Sequence, residues 1–166
     1  MTAQVRDILF YKGKKYFLAS EPLEDFLIEN KICTLSQNTS NLRGYESVWK
    51  IHSNRLHLVA LDIYLDNGKA VDMTYFFPDT LTVFAKWYCG CLMLQSGKLL
   101  QYVHSGYESI YEKDLLLEFE NGILTNEKVI DNTPGYEEWL RSNQTKSKED
   151  HMSDISNSLR KGSNYF

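Results

Sequence analysis

Apolar and polar residues alternate along most of the chain in short runs broken by glycine and asparagine. Residues 7–11 and 15–19 flank Lys12-Gly13-Lys14, which predicts a β-hairpin. Ser20 offers a helix N-cap, and Leu23, Phe26 and Leu27 follow at helical spacing, so a short helix is expected over 21–30. Residues 36–41 are polar and read as a loop. Residues 43–51 and 55–65 form the clearest strand pair, joined by His52-Ser53-Asn54. In the second of these, Leu56, Leu58 and Ala60 alternate with Val59, Leu61 and Ile63. Apolar residues on both faces suggest a central strand. Asp66-Asn67-Gly68-Lys69 is a hairpin turn leading to a third strand over 70–76. Pro78-Asp79-Thr80 reads as a helix start, with Leu81, Phe84, Ala85 and Tyr88 on one face and Gly90 past the end. Val83 and the aromatics make a strand the competing reading there. Residues 92–95, 99–103, 115–120 and 123–129 are further strands, with turns at Ser96-Gly97-Lys98 and Asn121-Gly122. A last helical turn or two is expected over 134–142. The pattern predicts an α+β fold: a mainly antiparallel, curved β-sheet with two or three short helices, in one domain over 1–142. From 143 onward the chain is polar and rich in lysine and serine, and a mobile tail is expected.

Composition sharpens this picture. Eleven tyrosines and eight phenylalanines are too many for a disordered chain and supply a real core. The net charge is −4, but the last 26 residues hold five basic and three acidic side chains, so the folded body is more acidic than the whole. Such a body repels phosphate backbones and favours a basic protein partner. Cys33, Cys89 and Cys91 have no disulfide-framework spacing, the first residues form no apolar leader, and no run reaches membrane-span length. A cytoplasmic protein with no membrane contact is the expectation.

The richest segment chemically is residues 102–112, which holds Tyr102, His104, Ser105, Tyr107, Glu108, Ser109, Tyr111 and Glu112. His104 near Glu108 is the candidate general base, with Ser105 or Ser109 as nucleophile. Neither serine sits in the strained elbow that exposes a hydrolase serine. Tyr107 is a candidate recognition residue, and Arg43 could grip a carboxylate or phosphate with two parallel hydrogen bonds. Glu108, Glu112 and Asp114, with Glu118 and Glu120, make a negative stripe suited to lysines and arginines of a partner. Cys89-Gly90-Cys91 is too tightly spaced for an ordinary zinc pair, and no metal or cofactor is expected.

Arg43-Gly44-Tyr45 with Trp49-Lys50-Ile51, Phe84-Ala85-Lys86-Trp87-Tyr88 and the segment 106–112 resemble a group of small bacterial proteins without an established activity. The resemblance spans residues 42–122 and brings no catalytic residues. In size, acidity and lack of a catalytic motif the chain also resembles bacterial toxin-immunity proteins. That implies an inhibitor that occludes the active site of a basic toxin domain, and no enzyme. The alternative is a small-molecule-binding protein or enzyme with a site around His104, Tyr107 and Arg43. A further alternative is single-stranded nucleic-acid binding through aromatics and the basic tail, against which the acidic body argues. A homodimer through a sheet edge is also open to such strands.

Overall fold

The computed structural model describes residues 2–105 and 107–144. The chain divides into two units, Met1–Asp131 and Asn132–Phe166. The first holds β1 (Ile8–Tyr11), β2 (Lys14–Leu18), α1 (Glu24–Glu29), β3 (Tyr45–His52), β4 (Arg55–Tyr64), β5 (Ala70–Asp72), α2 (Met73–Phe76), β6 (Val83–Phe84), β7 (Gly90–Gln101), β8 (Ile110–Glu120) and β9 (Ile123–Asp131). In the second unit residues 133–144 form a helix, α3. The rest of the expected tail, and Gly106, lie outside the described residues. No helix among the described residues is long and apolar enough to cross a membrane.

The fold is α+β, with a mainly antiparallel, curved sheet. Neighbouring strands run in the order β3, β1, β2, β7, β8, β9, β4, and β4 pairs back onto β3, so seven strands close into a ring. Among the described strands only β1 and β3 pair in parallel. The seam between β9 and β4 is short: Arg55 lies opposite Ile123, and the Leu56 and Leu124 amides donate to Gly122 and Asn54 carbonyls at 2.9 and 2.7 Å. β5 and β6 are side pieces on β4. The inward residues fill the ring. Trp49 and Tyr45 are fully buried on β3, among Leu9, Leu18, Leu56, Leu58, Leu92, Leu94 and Leu117. Leu23 and Leu27 of the α1 region join the same core, and the Trp49 indole donates to Ser47 Oγ at 2.7 Å.

One extra residue explains the two apolar faces of β4. Along β3, Tyr45, Ser47, Trp49 and Ile51 point inward in regular alternation. Their partners on β4 are Ile63, Leu61, Leu58 and Leu56, with the register shifting between Val48 and Trp49. Val59 is therefore a bulge. It turns Leu56 and Leu58 from one alternating set, and Leu61 and Ile63 from the other, towards the same core.

Four local expectations are corrected. Residues 81–88 form no helix: Val83 and Phe84 pair with Leu58 and His57 as β6, and Leu81 is 91% exposed. Thr80, Thr82 and Val83 are β-branched and weaken a helix, while β4 offers an open ladder. Residues 70–76 split after Asp72, whose carboxylate accepts from the Thr74 amide at 2.9 Å and caps α2. Ser20 caps no helix; its hydroxyl accepts from the Met93 amide at 3.0 Å. Ser96-Gly97-Lys98 is an irregularity within a single long β7, with Gly97 at φ +81°.

Deleting Val59 should turn Leu61 and Ile63 outward and abolish the cooperative unfolding transition. Val59→Ala should cost no more than about 1 kcal/mol. Thermal melts followed by circular dichroism distinguish the two.

Candidate functional site

Arg43 and Tyr107, both singled out by sequence, meet in one buried polar cluster. Asp7, at the entrance to β1, is 1% exposed. Arg43 Nη2 and Nη1 donate to its two carboxylate oxygens at 2.7 and 3.2 Å, and the Ser47 amide donates to Oδ1 at 2.7 Å. Arg43 Nε donates to the Tyr45 carbonyl at 3.0 Å, and Nη1 to the Tyr107 hydroxyl at 3.4 Å. Tyr107 donates in turn to Glu21 at 2.9 Å. The Arg43 guanidinium also lies 4.6 Å from the Tyr45 ring centroid. Burial pushes the Asp7 carboxyl above its ordinary value; Arg43 and the bonds from Ser47 oppose that. Burial also raises the Tyr107 hydroxyl, so it stays protonated as a donor.

This arrangement leaves Arg43 no free edge for a ligand. Its fork is spent on Asp7, and its side chain is 8% exposed. The cluster joins the residues before β1, the approach to α1, β3 and the loop after β7. Sequence reading missed Asp7 and Glu21. Asp7 gave one signal, an acid at the head of an apolar strand, which reads equally well as a surface residue.

The other candidates lie apart. His104 is exposed, and its Nδ1 lies 2.7 Å from the Tyr102 hydroxyl. Glu108 is exposed. Ser109 is buried, and its hydroxyl accepts from the Val103 amide at 3.0 Å. Glu112 accepts from the Lys98 amide at 3.0 Å, beside Gly97. Asp114 lies on β8 opposite Gln95 and Ile130. Glu118 and Glu120 are exposed on β8, but Leu116 interrupts the stripe from Asp114, and Lys128 of β9 faces Leu116. The three cysteines are free and exposed. Among the described residues no group of three or more His, Cys, Asp or Glu side chains could hold a metal ion.

A different acidic row forms where the sequence gave no hint of one. Glu46 on β3 stands opposite Asp62 on β4, and Asp62 stands opposite Asp72 on β5. All three are exposed and line a groove of about 610 Å³ with Asn41, Tyr64 and Tyr75. Directly opposed like charges cost stability. At the rim the Lys69 ammonium already lies 4.8 Å from the Tyr75 ring centroid. Further along the same strands the sign reverses. Lys50 lies opposite His57, and His52 opposite Arg55. Burial holds His57 below its ordinary value, and His52, Arg55 and Lys50 push the same way.

No protein-family model matches the chain, and no curated protein or solved structure matches it.

Asp7→Ala should cost about 3–5 kcal/mol in urea unfolding, because it leaves the Arg43 charge buried and unpaired. Removing both charges, as Asp7→Ala with Arg43→Met, should cost less than Asp7→Ala alone. A double variant less stable than the single would show that Arg43 finds another partner.

Proposed function

We propose that the chain is an acidic protein-binding module that receives basic side chains of a partner in the groove over β3, β4 and β5. The observation that carries this reading is the register of Glu46, Asp62 and Asp72. Three carboxylates in adjacent strands repel one another, and an incoming lysine or arginine relieves that repulsion as it binds. The Tyr64 and Tyr75 rings beside them give a cation apolar and aromatic surface to settle on. Acidic rows of this kind also steer a basic partner during approach, which raises the association rate at low salt.

In its specific form the proposal is an immunity-type inhibitor that covers the active site of a basic toxin domain. The net charge supports it, as does the way the polar cluster spends its arginine internally. On this reading the binding surface is the groove, whose lining does not include Arg43, Tyr107, Glu108, Glu112 or Asp114, the residues expected from sequence.

Isothermal titration with a synthetic lysine- and arginine-rich peptide, at low and moderate salt, tests the groove. Binding should weaken as salt rises, and Asp62→Asn should weaken it by roughly tenfold. The same substitution should raise unfolding stability by roughly 0.5 kcal/mol, because it removes two cross-strand repulsions. Peptide binding that Asp62→Asn leaves unchanged would overturn the assignment.

A further inference from the structure

Basic side chains gather where β3, β4 and β6 meet. Lys50 on β3 lies opposite His57 on β4, and His52 lies opposite Arg55. His57 in turn lies opposite Phe84 on β6. Opposed basic groups repel whenever both are charged. Among the described residues no acidic side chain comes within ion-pair distance of any of the four. Lys50, His52 and His57 line a pocket of about 200 Å³ together with Val59 and Thr82. That is smaller than the roughly 300–1,000 Å³ of sites for drug-sized ligands. None of its residues lines the acidic groove. Arg55 stands next to it: its guanidinium is 5.3 Å from the Phe84 ring centroid, and the His57 ring is 5.9 Å from the same centroid. Burial first, then His52, Arg55 and Lys50, hold His57 below its ordinary value, so the ring is neutral near pH 7. Its Nδ1 is closed to solvent and has no hydrogen-bond partner among the described residues. A proton there would be a buried donor without an acceptor, so the neutral ring carries it on Nε2.

We propose that this pocket binds a phosphate group, free or carried on a small molecule. Lys50 and Arg55 supply two fixed positive charges. A phosphomonoester carries a charge of about −1.5 to −2 at neutral pH, so the two sides match. The donors are the Lys50 ammonium, the His57 Nε2–H, the His52 ring and the Thr82 hydroxyl. They come from three pieces of chain: β3, β4 and the residue before β6. Donors arriving from several sides suit the three free oxygens of a phosphate better than the two of a carboxylate. Val59 adds apolar surface for a short carbon substituent. A polyanion fits less well, because Glu46 and Asp62 lie further along the same two strands and repel a second phosphate. A bound dianion also offsets the repulsion among the basic groups, so the ligand should stabilise the fold.

NMR titration of the isotope-labelled full chain with inorganic phosphate and with glycerol phosphate, against chloride at equal ionic strength, tests the site. Saturable shifts at Lys50, His52, His57 and Thr82 are expected, with a Kd of about 10 mM or below. Lys50→Gln should weaken binding at least about tenfold, and His57→Phe by roughly fivefold. Lys50→Gln carries a second readout that misfolding would not give. Without phosphate it should melt above the parent protein, and phosphate should no longer raise its melting temperature. Glycerol phosphate binding at least as tightly as inorganic phosphate assigns the pocket to a small phosphomonoester; tighter inorganic phosphate assigns it to the free ion. Shifts that chloride reproduces mark an adventitious ion only and overturn the proposal. So do a Kd above about 10 mM and binding that Lys50→Gln leaves unchanged. A short single-stranded oligonucleotide that binds these residues at least about tenfold more tightly than glycerol phosphate overturns the small-ligand assignment. None of these readouts involves the acidic groove, so either site can fail without the other.

Discussion

The Asp7 carboxylate meets three N–H donors in a place that water does not reach, and much of the molecule is arranged to keep it satisfied. Two of the donors come from Arg43 and one from the Ser47 amide. A buried carboxylate without them would cost several kcal/mol. β1 must therefore lie parallel beside β3, and Arg43, two residues before β3, must turn its guanidinium inward. Gly44 makes that turn at φ +74°; a Cβ there would come 2.4 Å from the Leu35 carbonyl oxygen. Tyr107 closes the last side of the guanidinium and draws the loop after β7 against the N-terminal segment. Four separate pieces of chain are thus fixed by one ion pair.

The ring depends on a second constraint, the fit of its interior. Trp49 and Tyr45 fill it from β3, and the bulge at Val59 lets both halves of β4 face them. The aromatics from α1, α2 and the segment before β7 pack on the same core: Phe26 lies 5.1 Å from Phe77 and 4.9 Å from Trp87 by ring centroids. Trp87 is fixed by a hydrogen bond to the Pro22 carbonyl at 3.1 Å. With the interior filled by its own side chains, the charged chemistry of the sheet lies on its outer surface. There the alternation of strand side chains sorts charge into rows, and the order of strands decides which rows become neighbours.

Within single segments, sequence reading worked where one physical effect ruled. The β1–β2 hairpin, the Asn67-Gly68 turn and the Asn121-Gly122 turn follow from residues that tolerate positive φ, and the structure has them there. It failed at 81–88, where helical spacing competed with an unfilled strand position on β4. It also read two apolar faces on β4 as burial on both sides, when a single bulged residue had exchanged the faces. Neither error could be mended locally, because in both cases the deciding partner was another strand.

The amino-acid sequence by itself determined the class of fold, most strand positions, the core role of Trp49 and the acidic balance of the body. Those properties follow from period, turn chemistry and composition, all of which act over a few residues. Only the tertiary structure decided that Arg43 is consumed by Asp7, 36 positions away, and that Tyr107 completes the same cluster. Only the strand register set Glu46, Asp62 and Asp72 side by side. Their meeting is a property of hydrogen-bonded ladders between distant segments, and no local pattern in the chain encodes it.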